Sequence, residues 1–351
     1  MRGLFLFLLS TAAFAGDEWP CARGDPGNTG VTKNRGPVAT PKVAWKREEK
    51  DAISPGVALA AGRLAYGVGE YVVAFREASD GRDVWNGAVK QQVSAWPAIG
   101  PEGVYVGSPD GVHYILRFSD GKEAGATEAT AAIVADPVLT DEHYLVGSTD
   151  GLFYVMSLKN GAALWKPKTG PVRVGCAVDK GTAYVVNEEG VLFALDLKRK
   201  QEAWKCETKG AARCAPIVGK AAIWLVQTDA VQGVTRKGGL GGRRETKGIA
   251  AAPALDGSVL FYGTEGGEVV TLDLDSGKEL TRVKVADEAV HTPLILGKGA
   301  VYGAAGATLF AVDPKAGRVL WTYRGEDRFQ PPIVADKAVY VAVGRVFYCL
   351  R

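Results

Sequence analysis

One eleven-residue pattern recurs along this chain at a nearly constant interval, and that constancy limits the possible folds more than any other feature. Its best-preserved copy is Ala311-Val312-Asp313-Pro314-Lys315-Ala316-Gly317-Arg318-Val319-Leu320-Trp321. Relatives carry Ala194, Asp196 and Trp204, with Lys200 in the glycine place; Val155, Gly161 and Trp165; and Ala74, Gly81 and Trp85, with one inserted residue. Following the tryptophan place gives Trp45, Trp85, Gly125, Trp165, Trp204, Arg243, Thr281 and Trp321, in steps of 38 to 40 residues. A second marker keeps the same phase: Pro55, Pro97, Pro137, Pro216, Pro253, Pro293 and Pro332, with Cys176 in the missing place. Between the markers each unit reads as four short strands, such as Ala183 to Val186 and Leu192 to Leu195, joined by turns such as Asp150-Gly151. Glycine supplies the positive φ of a two-residue hairpin, and the preceding aspartate bonds the turn backbone.

Four antiparallel strands per roughly 40 residues describe a propeller blade, which buries its faces only by stacking on neighbours. Eight places predict an all-β, eight-bladed β-propeller over residues 41–351. Tyr348 to Arg351 align with the third strand of the repeat, Cys349 standing where Ala311 stands, while Pro41 to Arg47 carry a Trp place with no strands before it. The last blade is therefore expected to be shared by the two ends, which pairs both terminal edges.

With 42 Lys and Arg against 39 Asp and Glu, no general attraction to nucleic acid is implied. Arg2 followed by a largely apolar run from Leu4 to Ala15, ending Ala13-Phe14-Ala15, reads as a signal peptide over residues 1–15 with cleavage near Ala15. The run falls short of a membrane span, and Cys21 follows Trp19-Pro20 rather than a lipidation signal. A soluble monomer in the periplasm or secreted is expected, with residues 16–40 as a leader. Five cysteines, Cys21, Cys176, Cys206, Cys214 and Cys349, allow at most two bridges of open pairing. Separation of His113, His143 and His291 gives no metal pattern.

On the residues quoted, the chain resembles the PQQ-like (pyrroloquinoline-quinone-like) repeat family, whose blades carry Ala-x-Asp-x-x-x-Gly-Lys-x-x-Trp. The leader Trp19-Pro20-Cys21-Ala22-Arg23-Gly24 is similar to a segment that precedes many such propellers. The resemblance implies a structural docking role for Trp45, Trp85, Trp165, Trp204 and Trp321 with Gly81, Gly161, Gly277 and Gly317, each ring lying between blades. It implies two functional branches. Quinone-dependent dehydrogenases hold pyrroloquinoline quinone and calcium under an adjacent Cys-Cys bridge and use long loops; this chain has no adjacent cysteines and short, even loops. BamB-type envelope propellers are non-catalytic, so the resemblance implies a binding scaffold with a protein partner in the cell envelope, no cofactor and no catalytic residue; the dehydrogenase stands as the alternative.

By register, Ser54, Trp96, Arg173, Arg213, His291 and Gln330 precede or flank the opening Pro place, which puts a ligand site, if present, at the channel mouth. Asp196, Asp273 and Asp313 occupy equivalent places and are expected to fix their own turns rather than converge. Arg23-Gly24-Asp25 spells an adhesion tripeptide, and Arg236 to Arg244 reads as a solvated basic hairpin.

Overall fold

Short runs rich in Val, Ala, Tyr and Phe, broken by glycine turns, pair with their chain neighbours, the first strand with the last excepted, and build antiparallel sheets. The computed structural model describes residues 18–351 except 209 and 247, and those residues form eight four-stranded sheets with no helix. The export signal expected over residues 1–15 lies outside the described residues. Seven blades cover 58–88, 98–128, 138–165, 177–207, 217–245, 254–284 and 295–324. The eighth joins Ile333–Ala335, Ala338–Val343 and Val346–Leu350 to Val43–Glu48, as the repeat predicts. Each opening Pro leads into a short innermost strand, and those strands neighbour one another around the axis. Inner strands are buried, whereas outermost ones such as Asp83–Ala88 alternate toward solvent.

The Trp place is defined by pairing: Trp321 faces Ala311, Trp204 faces Ala194, Trp165 faces Val155 and Trp45 faces Cys349. Phe75, not Ala74, faces Trp85, so the first blade has no inserted residue. In the fifth blade Gln232 faces Arg243, so Gly242 rather than Arg243 holds the Trp place. The glycine-rich stretch 238–242 leaves little to fix that register by eye.

Trp45, Trp85 and Trp204 each lie on the turn of the next blade, against Gly81, Gly121 and Gly238. A Cβ on Gly81 would come within 2.8 Å of Trp45, and Gly81 has φ +74°, so this place admits no side chain on two counts. Gly161, Gly277 and Gly317 occupy the same turn with φ between +63° and +73°. The indole N–H donates to the carbonyl one residue beyond the neighbouring third strand: Trp85 to Phe118 (3.0 Å) and Trp204 to Arg236 (3.0 Å). Where the ring is lost, other donors reach the equivalent carbonyl: Tyr105 Oη to Leu158 (2.7 Å), Arg244 Nε to Leu274 (2.7 Å) and Thr281 Oγ1 to Pro314 (3.1 Å). Between blades eight and one, Tyr340 Oη takes Ala78 O (2.9 Å), and Trp45 Nε1 is buried without a partner. The aspartates act locally, Asp313 accepting from Lys315 and Ala316, Asp273 from Asp275, and Asp196 from Arg199.

Ring closure carries a buried ionic cluster. Glu49, just after the closing strand, accepts from Arg76 Nε (3.0 Å) and Nη2 (3.1 Å), Arg47 Nε (2.7 Å) and Tyr66 Oη (2.8 Å). Arg76 is 2% exposed and Glu49 7%. Burial pushes the Glu49 carboxyl up, but the bonds from Arg76, Arg47 and Tyr66 outweigh it and hold it below the usual range.

Glu49→Ala leaves the Arg76 charge buried and is expected to cost about 3–5 kcal/mol in urea unfolding, with Glu49→Leu/Arg76→Met recovering part of the loss. Lys200 sits at φ +54° in the glycine place, so Lys200→Gly is expected to raise stability by up to about 1 kcal/mol. A lower melting temperature for Lys200→Gly would show that the strain is offset elsewhere.

Candidate functional site

An innermost strand has a ladder partner on one side only, and its other edge turns unpaired backbone groups toward the axis. The leader supplies partners for those edges in blade order, passing over the third blade. Trp19 exchanges both backbone bonds with Leu59 (2.7 and 2.9 Å). The carbonyls of Pro20, Pro26, Gly27, Thr29 and Gly30 then accept from Ile99, Val178, Val218, Leu255 and Leu296 at 2.6–2.9 Å. Arg35 O finally accepts from Lys337 N of the eighth blade (2.7 Å). Side chains add rungs: Asn28 Nδ2 donates to Cys176 O (2.6 Å) and Pro216 O (3.1 Å), and Asn34 Nδ2 to Val334 O (3.1 Å). Asp25 shapes the tight part of the path by accepting from Gly27 N (2.8 Å) and Thr29 N (3.1 Å). The Arg23-Gly24-Asp25 triplet is thus inside the molecule, with Arg23 7% exposed.

The leader lies across one end of the channel. What it leaves is a cavity of about 170 Å³, lined by Arg23 and Asn28 of the leader and by Trp96, Asp136, Arg173, Arg213 and Cys214. Arg23 Nη2 donates to Pro253 O, while Nη1 is buried without a partner. Burial pulls the Arg23 proton affinity down, and neighbouring Cys214, Asp25 and Asp136 work against that pull. Asp136 accepts the Trp96 N–H (3.0 Å), and the exposure it retains is to the cavity. Burial pushes its carboxyl up to about 6, against the Trp96 bond and the Arg23 charge.

Burial also pushes the thiols up, Cys21 to about 12 and Cys214 to about 11, so both stay protonated and are poor nucleophiles. All five cysteines are free. Among the described residues no group of three or more His, Cys, Asp or Glu is placed to hold a metal ion. The cavity holds charge and hydrogen-bonding capacity, without a nucleophile and base in contact.

Of the six channel-mouth candidates, the structure brings Trp96, Arg173 and Arg213 together around the cavity. Ser54 is buried in the first blade with its N–H on Gly67 O (2.9 Å). His291 accepts from Gly306 N at Nδ1 (3.1 Å), which assigns the proton to Nε2 for donation to Phe329 O (2.9 Å). Both ring nitrogens are therefore spent on backbone. Gln330 ties back through its N–H to Ala342 O (2.8 Å). His113 is a core residue, Nδ1 3.0 Å from Tyr144 Oη, with burial pulling it down to about 3. The basic hairpin is tied in: Arg236 pairs with Asp179 (2.9 Å) and Arg243 with Asp229 (2.9 Å).

Sequence reasoning missed Arg23, Asn28, Asp136 and Cys214. Asp136 was within reach, since it precedes Pro137 as Trp96 precedes Pro97. Arg23 and Asn28 carry no comparable signal, because the repeat frame does not extend into the leader.

A sequence model of the family described as outer membrane protein assembly factor BamB matches residues 37–124, 70–173, 159–240 and 230–349. No protein of curated function matches the sequence. Similar solved structures include the computationally designed Ika8 protein (16% identity, 88% of this chain and 99% of that one, TM-score 0.75). BamB from Moraxella catarrhalis is similar at 14% identity over 89% of this chain and 98% of that one, TM-score 0.71. Quinohemoprotein alcohol dehydrogenase from Comamonas testosteroni is similar at 11% identity over 95% of this chain and 80% of that one, TM-score 0.76. At these identities the likeness is one of fold.

Because the Asp136 carboxyl is raised above its unfolded value of 3.8, its protonated form stabilises the fold fully below that pH and the contribution is lost as pH rises through about 6. Asp136→Asn keeps an acceptor for Trp96. Its melting temperature is expected to match the parent near pH 4 and exceed it at pH 8; a difference independent of pH would contradict the assignment.

Proposed function

The chain belongs to the family of outer membrane protein assembly factor BamB, and from that premise we propose that it works as a binding scaffold for protein partners in the cell envelope. The observation that carries this reading is the leader across the channel. The cavity around Arg23 and Asp136 is about 170 Å³, below the roughly 300–1,000 Å³ of small-molecule sites, and a second hollow of about 380 Å³ is lined largely by the leader itself, from Pro20 to Lys33. Recognition therefore falls to the outer surfaces of the ring, where strand edges and inter-blade grooves are available to an extended protein segment. The apolar start of the sequence supports export, and no helix among the described residues is long and apolar enough to cross a membrane.

Pyrroloquinoline quinone with calcium, the cofactor pair of the dehydrogenase branch, does not fit the residues present. The leader closes one end of the channel, Asp136 is the single carboxylate on the cavity wall among three arginines, and the cysteines are neither adjacent nor bridged.

Crosslinking a tagged copy in the living cell envelope tests the reading. Defined envelope proteins, including those that assemble outer-membrane barrels, are expected to copurify. The same set is expected from Arg213→Ala, provided it melts as the parent does, since it changes the cavity wall and one bond to Ile249 O (2.9 Å) but no outer surface. Recovery of no protein partner, or loss of all partners in Arg213→Ala, would overturn an outer-surface scaffold.

A further inference from the structure

Every junction between blades solves one packing problem: something must fill the space over the next blade's turn. Where Trp is absent the space is usually closed by other means. In the second blade, Gly125 lies so close to the third that a Cβ would meet Asn160 O at 2.8 Å, and Ile115 covers Gly161 at 3.0 Å. In the fifth, the Arg244 side chain lies 3.2 Å from the equivalent point on Gly277.

The junction between the sixth and seventh blades is different. Thr281 holds the Trp place and bonds Thr271 Oγ1 across the strand pair (2.8 Å). The place taken by Tyr302 in the seventh blade, facing Ile295, is Phe261 here, facing Ala254. The nearest atom to a Cβ on Gly317 is 3.5 Å away, against 2.4 Å where Trp85 covers Gly121. The result is a groove of about 1320 Å³ that runs from Val31 and Lys33 of the leader, past Phe261 and Leu296, to Leu280 and Thr281 at the rim. Leu280 is 48% exposed beside it. Lys33, Lys298 and Lys315 border the groove and are exposed. None of the three has a carboxylate within ion-pair distance among the described residues. Two acids also line the groove, Asp313, which is spent on its own turn, and the exposed Asp256, so the three lysines outnumber the acids.

We propose that this groove docks an extended protein segment that places an aromatic side chain in the vacant indole slot and carboxylates beside the lysines. The slot is built for a ring, since the same framework holds an indole at the junctions carrying Trp85 and Trp204. The unpaired lysines set the sign of the flanking charges. The inference rests on the scaffold reading and names the partner surface it uses.

The test uses the whole protein and fluorescein-labelled peptides of about twelve residues, alike except for a central Trp, Leu or Ala and for acidic or basic flanks, read by anisotropy. The acidic Trp peptide is expected to bind at least about tenfold more tightly than its Ala counterpart and than the basic Trp peptide. Thr281→Trp, which fills the slot from within, is expected to lose that affinity by about tenfold or more while melting no lower than the parent. If Thr281→Trp does not fold, Lys298→Glu/Lys315→Glu on the exposed rim is expected to give the same loss. Equal binding of the Trp and Ala peptides, or undiminished binding by a folded Thr281→Trp, would overturn the groove. Envelope partners that crosslink equally to parent and to folded Thr281→Trp would overturn the groove while leaving the scaffold intact; the absence of any partner would count against the scaffold itself.

Discussion

A four-stranded blade has two apolar faces and no means of burying either alone, so this molecule depends on the contact between one blade's outer strand and the next blade's turn. That contact has two parts with different tolerances. The volume over the turn is filled by an indole, an isoleucine or an arginine stem, as dispersion and hydrophobic burial are indifferent to which atoms do it. The buried carbonyl beyond the third strand is less tolerant. Leaving it unpaired costs the desolvation of a polar group, and Trp, Tyr, Arg and Thr donors reach it from different positions. Loss of the Trp motif in a blade is thus a change of donor rather than a failure of the repeat.

The same requirement explains the leader. A ring of eight blades is wide enough to leave the inner strand edges facing an open axis, and unpaired backbone at those edges must find water or protein. The leader satisfies it with a single pass of main chain, then leaves between the last two blades. There Pro37 O accepts from Trp321 Nε1 (2.8 Å) and Tyr302 Oη (3.2 Å). This is the service a turn carbonyl performs elsewhere; the eighth blade has no such turn, because its third and outermost strands come from opposite parts of the chain. One segment therefore completes the axis and a junction.

Blade number, strand count and the shared eighth blade were legible because they are written in spacing, and spacing survives substitution. Trp45 facing Cys349 repeats Trp321 facing Ala311, and both follow from the repeat frame. The one-residue slip at Arg243 arose where tryptophan was gone and glycines offered no phase. Three of the six candidates placed by register, Trp96, Arg173 and Arg213, border the cavity, but His291 shows the limit of that method: position near the axis says nothing about whether a ring nitrogen is already taken by backbone. The leader's route was illegible for a related reason. Its rungs are mostly main-chain groups, which every residue carries alike, so no side-chain code records them.

The closing strand has a bearing on when the molecule can fold. Val43–Glu48 pairs with Val346–Leu350, and Lys42 and Arg351 exchange backbone bonds at 2.6 and 2.8 Å, so the first and last strands complete one sheet. Seven blades can form in turn from local hairpins, whose loop-closure cost is small. The eighth requires the longest loop in the chain, and it adds the bond from Glu49 N–H to Arg345 O (2.8 Å) beside the Glu49–Arg76 cluster. A chain crossing a membrane as a thread would hold its first strand waiting, with an unpaired edge, until the last had passed. Closure of the ring is then a single late event, however early the other seven blades have formed.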